Sequence, residues 1–539
     1  MIGDLLRIQD KDGWLGEEAL HDLAAQRGVP LHVLQGLVSF YTHFRREPPR
    51  AVEIEVCRDL ACQLAGGQEA CARLRAALAG RDDVGVREVS CLGRCDRAPA
   101  GVITGAGPDS DARAGVVIET AQTATVLAAA EQGAAAPAHS PGHWETADPY
   151  SNPDMAPYAT LRCALQGDPA DLPPVLEAAG LRGMGGAAFP TGRKWSLVAS
   201  APAAERYVIA NADESEPGAF KDREILRDLP HLLIEGMALA GYAIGAKRGI
   251  IFIRHEYEPE RQAVEAALDD ARRAGALGQA IFDNPFDFEI EIFVSPGGYI
   301  LGEETALLEC LEDRRGEPRN KPPFPGVSGL HGKPTLINNV ETFVHAAGIL
   351  HHGADWWHDL GLPGFSGHKF MSVSGDVERA GVHLVPFGTP LAELLEGCGG
   401  IREGRELLAV APGGASSRFL GADALSTPID FQTFADAGSM LGAGAAVFVS
   451  DAQNLLEVGL GVTRFFRNES CGKCVPCRVG TEKAVKLVEA TGGVDEPTRQ
   501  RLAELNATLA RTSICGLGQI ALDPLLSLAE RFPERMRGG

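Results

Sequence analysis

RYVIANADESEPG, residues 206–218, reads as a strand-like run ending in the polar segment NADESEPG. A helical stretch, HLLIEGMALAGYAIG (231–245), and a second strand-like run, GIIFIRHEY (249–257), follow it. This alternation predicts a mostly parallel sheet flanked by helices. Ligands of such sheets bind at the carboxyl ends of the strands. The alternation bounds the largest expected domain, residues 156–366.

Four segments of this domain carry candidate chemistry. In LRGMGGAAFPTGRKW, Gly183, Gly185 and Gly186 let a backbone approach a ligand without Cβ interference, and a following helix N-terminus would offer free N–H groups to a phosphate. Lys194 could add a point charge. The glycine spacing matches neither the ordinary dinucleotide fingerprint nor the P-loop. NADESEPG (Asn211, Asp213, Glu214, Glu216), GGYILGEET (Gly302, Glu303, Glu304) and LINNVET (Asn338, Asn339, Thr342) each put amides or carboxylates at an expected strand-to-helix junction. There they can bind ring nitrogens, ribose hydroxyls or phosphate, or serve simply as helix caps.

Two cysteine sets lie outside this domain. Cys471, Cys474 and Cys477 fall within SCGKCVPC, with Cys515 in SICGLGQ. Three thiolates on one short loop suit a [4Fe–4S] cluster; zinc more often divides its ligands into two separated pairs. Cys57 and Cys62, then Cys91 and Cys95, form two pairs that suit a [2Fe–2S] cluster or a structural zinc site. The alternating run AVEIEVCRD predicts a strand that delivers Cys57 into a loop. Cys71, Cys163, Cys310 and Cys398 stand alone and read as small buried hydrophobes. With no signal segment at the N-terminus, the expected compartment is the cytoplasm, where thiols stay reduced.

The chain has 539 residues, 45% of them hydrophobic, enough for several cored domains. Its 72 acidic and 50 basic residues give a net charge of −22, which opposes binding to nucleic acid or anionic membranes. The longest apolar stretch carries Glu235 and is too short to span a bilayer, so no direct membrane insertion is expected. The expected domains are a helical segment (1–48), a small α/β unit with the first cysteine set (49–128) and an Ala/Pro/Ser-rich linker (129–155). The large domain (156–366), a β-rich unit (367–450) and a helical end (451–539) follow.

The glycine loop, NADESEPGAFKDR, GEET, KPPFPG, NNVET, ESCGKCVPCR and SICGLGQ, in that order, resemble the flavin- and NADH-binding subunit of respiratory NADH dehydrogenase and its relatives. Residues 1–128 resemble the thioredoxin-like [2Fe–2S] subunit of the same enzymes, here fused in front. The fusion, the CRDLAC form of the first cysteine pair and the GMGG form of the loop most resemble the β (diaphorase) subunits of soluble molybdenum- or tungsten-dependent, NAD-linked formate dehydrogenases. Diaphorase subunits of NAD-reducing hydrogenases are near relatives.

The resemblance implies a multidomain α/β fold: a thioredoxin-like [2Fe–2S] domain, a Rossmann-like FMN and NAD domain, a β-grasp (SLBB) domain and a helical bundle with [4Fe–4S]. It implies FMN against Gly183, Gly185, Gly186, Lys194, Asn211, Asp213, Glu214, Tyr299, Gly302, Glu303, Asn338, Asn339 and Thr342. NAD would lie on the flavin, with Glu216 and Glu304 at the nicotinamide end and Phe189 and Phe324 stacking the adenine. Met184 stands where that family usually has Arg, Ala188 where it has Gly, Leu301 where it has Cys, and Leu197 where an aromatic is expected. The implied partners are a molybdenum- or tungsten-containing formate-oxidising α subunit with further iron–sulfur clusters and a small [2Fe–2S] γ subunit. A diaphorase of a hydrogenase or a respiratory NADH dehydrogenase, a flavin-free iron–sulfur scaffold and a zinc-stabilised binding module are the competing readings.

Overall fold

The computed structural model describes residues 1–105, 116–119, 126, 147, 148 and 155–537. The expected linker at 129–155 lies outside them except for Ala147, Asp148 and Met155. AVEIEVCRD forms β1 (Val52–Cys57), which pairs in parallel with β2 (Val84–Val89) and antiparallel with β3 (Ala100–Thr104). With β4 (Val116–Glu119) the sheet order is β2-β1-β3-β4. Ile54 and Val56 alternate onto the helix Gly67–Ala77, whose Cys71 and Leu74 complete this small core. This is the expected thioredoxin-like unit.

The expected helical segment at 1–48 holds helix Ile2–Asp12 and then Glu17–Arg27 and Leu31–Phe40, the last two divided where Gly28 turns left-handed and Pro30 starts the next helix. The N-terminal helices share a core with the large domain: Leu5, Leu34 and Tyr41 pack with Ile300 and Leu307. The N-terminal ammonium also pairs with Asp313 at 2.8 Å.

The large domain is built on four parallel strands in the order β7-β6-β5-β8. They are β5 (Tyr207–Ala212), β6 (Arg248–Arg254), β7 (Glu289–Ser295) and β8 (Thr335–Asn339). Successive side chains of β5 leave the sheet on opposite faces. Val208 and Ala210 join the core under helix Pro230–Ile244, whereas Tyr207 and Ile209 join the one containing Leu307 and Leu308. Helix Pro230–Ile244 is the apolar stretch noted above, and it is buried on nearly every side. Its Glu235 accepts a 2.9 Å hydrogen bond from Leu161 N–H, and burial pushes its carboxyl up to about 8. Among the described residues no helix is long and apolar enough to cross a membrane.

The β-grasp region holds a five-stranded mixed sheet, β10-β9-β13-β11-β12. Its strands are β9 (His368–Gly375), β10 (Gly381–Pro386), β11 (Leu407–Ala411), β12 (Leu420–Gly421) and β13 (Ala445–Ser450). Helices Leu455–Glu469, Val475–Thr491, Glu496–Thr512 and Asp523–Arg531 form the C-terminal bundle, cored by Val458, Phe465, Val485, Leu502, Leu509 and Leu525. Of the four lone cysteines, Cys71, Cys310 and Cys398 are buried as expected. Cys163 is exposed, because it lies on the outer face of the short helix Ala159–Ala164, whose Thr160 and Leu161 face inward.

Helix Pro230–Ile244 approaches its neighbour Val340–His352 at Gly236, where an added Cβ would lie 2.2 Å from the Phe343 carbonyl oxygen. Gly236→Ala is expected to destabilise the domain by about 1–3 kcal/mol through overpacking, read as a lower denaturant midpoint. An unchanged midpoint would contradict this packing.

Candidate functional site

All four parallel strands deliver their carboxyl ends to one edge, and three of the polar segments sit there. Asn211 Nδ2 donates to the Gly302 carbonyl at 2.9 Å, joining the loops after β5 and β7. Asp213 is buried and accepts from Ser215 Oγ and, at 2.8 Å, from Ser295 Oγ at the end of β7. Burial lifts its carboxyl to about 6. Glu214 takes the N–H groups of Asp222 and Arg223 and the Tyr257 hydroxyl at 3.0–3.2 Å. Its side chain therefore organises the following helix, Lys221–Asp228.

Helix capping is realised at two further candidates. Glu303 Oε2 accepts from Thr305 and Ala306 N–H, both at 2.9 Å, and Asn339 Oδ1 accepts from Glu341 N–H at 3.1 Å. Capping fixes these side chains at the strand edge.

The glycine loop closes over the same edge. Met184 N–H donates to Thr342 Oγ1 at 2.9 Å, and an added Cβ on Gly185 would lie 2.9 Å from Asn339 Cβ. The loop thus meets the end of β8 with no room for a side chain, as a backbone cradle requires. Met184 itself turns into the hydrophobic core, so its position contributes main chain only. Ala188 holds a φ of 52°, a left-handed conformation that a glycine would adopt at less cost. Beyond the loop, Lys194 Nζ donates to the Ile337 carbonyl at 2.6 Å and lies 3.4 Å from Glu304, while Trp195 Nε1 donates to Asn338 Oδ1 at 3.2 Å. Phe189 and Phe324 are 42% and 59% exposed, which places them outside the core and free to cover a planar ring. Leu197 and Val327 are exposed beside them in sequence, on helices that pack together through Gly326 and Val198.

Sequence reasoning missed several residues that complete the site. Lys321 reaches Glu303 at 2.8 Å and Glu304 at 3.5 Å. Glu216 is held from two domains: Tyr299 hydroxyl donates to Oε2 at 2.7 Å, and Ser416 N–H, from the loop after β11, donates to Oε1 at 2.6 Å. Burial pushes the Glu216 carboxyl up to about 7, against the pull of these donors. Behind the edge lies a buried charge network. Lys221 Nζ bonds Asp222 at 2.6 Å, Glu341 at 3.0 Å and Asn339 Oδ1 at 3.1 Å, while Lys369 of β9 pairs with Glu341 at 2.6 Å. A basic residue within GAFKDR was the only signal for it.

Both cysteine sets abut this edge. Cys57, Cys62, Cys91 and Cys95 are all buried; the Cys91 and Cys95 sulfurs are 3.9 Å apart. Gly93 N–H points at Cys91 Sγ and Ala100 N–H at Cys62 Sγ, each at 3.4 Å. The segment that follows NADESEPG reaches this set directly: Phe220 packs on Cys91 and Cys95, and Arg223 donates to the Gly93 carbonyl between them at 2.7 Å. On the other side, Cys474 and Cys515 each precede a helix, Val475–Thr491 and Gly516–Ile520, and Cys477 lies in the first turn of the former. Their N-terminal dipoles favour thiolates. Tyr299 connects this set to the strand edge, since its N–H donates to Glu469, just before Cys471, at 2.9 Å and its ring packs on Phe465 at 5.0 Å. Among the described residues no three His, Cys, Asp or Glu side chains converge as one metal ion demands. The N–H groups aimed at the Cys91 and Cys62 sulfurs suit the N–H···S hydrogen bonds an iron–sulfur cluster receives.

The comparisons accord with this geometry. Residues 176–347 match the Nuo51 FMN-binding domain, residues 1–113 the thioredoxin-like [2Fe-2S] ferredoxin family, and residues 457–538 the NADH-ubiquinone oxidoreductase-F iron-sulfur binding region. In Escherichia coli (strain K12), the F subunit of NADH-quinone oxidoreductase is 41% identical over 388 residues, covering 71% of this chain and 87% of the relative. The chain belongs to the NADH-quinone oxidoreductase flavoprotein family. Within it, the NADP-reducing hydrogenase subunit HndC of Solidesulfovibrio fructosivorans is 39% identical over 378 residues, 70% of this chain and 77% of the relative. The crystal structure of an NAD+-reducing [NiFe]-hydrogenase in the H2-reduced state superposes with a TM-score of 0.87 and 31% identity, covering 99% of this chain and 92% of that one. The chain is thus an NAD(H)-reacting diaphorase subunit with FMN, [2Fe–2S] and [4Fe–4S], and its fold is the family's.

Gly185→Ala is expected to weaken FMN retention tenfold or more, about 1.4 kcal/mol, as its Cβ displaces Asn339. Flavin absorbance per chain after gel filtration checks this; full occupancy at limiting FMN would contradict the cradle.

Proposed function

We propose that the chain is the β (diaphorase) subunit of a soluble, NAD-linked formate dehydrogenase of the cytoplasm. It takes electrons from a partner's formate-oxidising site through clusters to FMN and delivers hydride to NAD+, reversibly. The observation that carries the diaphorase part is that the loops of one strand edge reach both cysteine segments: Phe220 packs on Cys91 and Cys95, and Tyr299 N–H donates at 2.9 Å to Glu469, just before Cys471. Formate as donor is supported by the fused front domain with its CRDLAC and GMGG segments. A molybdenum- or tungsten-containing α subunit and a small [2Fe–2S] γ subunit are the partners this reading requires. Hydrogen as donor is the second reading, favoured by the likeness over 99% of the chain to the hydrogenase structure.

FMN, when bound, exchanges hydride with a nicotinamide and single electrons with clusters. In our reading, the glycine loop, Asn211, Gly302, Asn338, Asn339 and Thr342 hold FMN. Asp213, Glu214 and Glu303 act mainly by fixing the loops, since their carboxylates already cap or bridge the main chain and neighbouring hydroxyls. Phe189 and Phe324 cover the adenine of NAD. Glu304 is flanked by Lys194 and Lys321, which offset its charge. Among the described residues Glu216 has no such cation, so it is the carboxylate whose charge bears on the reduced ring system and the bound nicotinamide. Below about 7 it is protonated and neutral; above, it becomes an anion that opposes further negative charge.

Release of NADH is therefore expected to quicken as pH rises through about 7, and Glu216→Gln should flatten that dependence. NAD+ reduction by a reduced viologen dye with NADH as product inhibitor, followed about one pH unit either side, reads it. A pH profile unchanged by the substitution would remove Glu216 from this role.

Anaerobic purification with native partners, then NAD+ reduction by formate and separately by hydrogen, tests the donor. Formate-dependent NADH formation with molybdenum or tungsten present is expected. Hydrogen-dependent activity with nickel would transfer the chain to the hydrogenase reading.

A further inference from the structure

β6 ends in Arg254, a side chain buried between the flavin edge and the first cysteine set. Its guanidinium donates through Nη1 to the Glu214 carbonyl and through Nη2 to the Cys91 carbonyl. Nε and Nη2 also face Glu256, each at 2.9 Å. One planar cation thus holds the main chain of a cluster-ligand cysteine against that of the flavin loop, with Tyr257 stacked 5.1 Å from it. Two further buried arginines lie nearby but bind differently. Arg223 reaches the Gly93 carbonyl at 2.7 Å and forks onto Asp96 at 2.9 Å, and Arg94 forks onto Glu260 at 2.8 and 3.0 Å. Neither bridges the two carbonyls that Arg254 joins.

Reducing a cluster adds one negative charge to a water-poor site, where a neighbouring cation counts far more than at the surface. Hydrogen bonds and nearby charge are the protein's means of setting a cluster potential. Burial would favour neutral Glu256, but the Arg254 guanidinium outweighs it and holds the carboxyl well below its usual range. The pair is therefore ionic, and each member can be neutralised separately.

We propose that Arg254 is a positioning residue for electron exchange between the flavin and the first cluster, clamping the Cys91 loop to Glu214 and biasing that cluster towards its reduced form. The step moves one electron from reduced flavin to the oxidised cluster, and no bond forms or breaks. The inference rests on the diaphorase reading of the chain.

The test is an EPR-monitored redox titration of the full chain loaded with FMN and both clusters, in wild type, Arg254→Gln, Arg254→Lys and Glu256→Gln. Arg254→Gln should lower the first cluster's midpoint by about 59 mV, a tenfold loss for one electron, and leave the second cluster unmoved. Arg254→Lys, which keeps the charge, should restore most of that shift. Glu256→Gln leaves the guanidinium uncompensated and should move the midpoint the other way. The proposal stands only if Glu256→Gln raises the midpoint and, where Arg254→Gln assembles, that variant lowers it; any other pattern overturns it. Failure of the underlying reading would look different, as a wild-type chain that holds no flavin.

Discussion

The contact between the loop after β5 and the cysteine loop at 91–95 governs the layout of this chain. Gly218 bends the chain at a φ of 104°, and Phe220 packs against Cys91 and Cys95. A side chain at Gly218 would meet Val447 of β13 at 2.6 Å, so three domains meet at one backbone bend. Once that loop is fixed, the end of β5 can lie only where β6, β7 and β8 also end.

Buried charge, alongside the apolar cores the domains share, fixes their register. Lys369 of β9, Glu341 and Lys221 form a fully buried chain of ion pairs that finishes on Asn339. Such a network stabilises only when every member is paired, and removing one partner leaves an uncompensated charge in the core. That makes it a device for specifying one arrangement. Ser416 and Tyr299, from different domains, meet on Glu216 in the same way. The site is therefore assembled across domain boundaries.

Much of this was legible in the sequence because the periodicities are local. The strands at 207–212 and 248–254 and the helix at 230–244 fall where the apolar runs place them, and the cysteine spacings anticipated two clusters. At the polar junctions the capping reading is realised, with Glu303 and Asn339 capping helices at the strand edge. What the sequence could not show depends on chain crossings far apart in number. Arg254 meets Cys91 across 163 residues and Ser416 meets Glu216 across 200, with no spacing rule to announce either. Cys163 turned outward because one short helix buries only one face. The inward turn of Met184 likewise depends on packing that only the folded chain creates.

The central claim is that flavin is the obligatory junction between nicotinamide and the cysteine-held clusters. NADH added anaerobically to the isolated chain, once with FMN and once stripped of it, tests that claim most directly through the EPR signal of the [4Fe–4S] cluster. The account predicts a reduced-cluster signal only in the FMN-loaded sample. An equal signal in the stripped chain would contradict it.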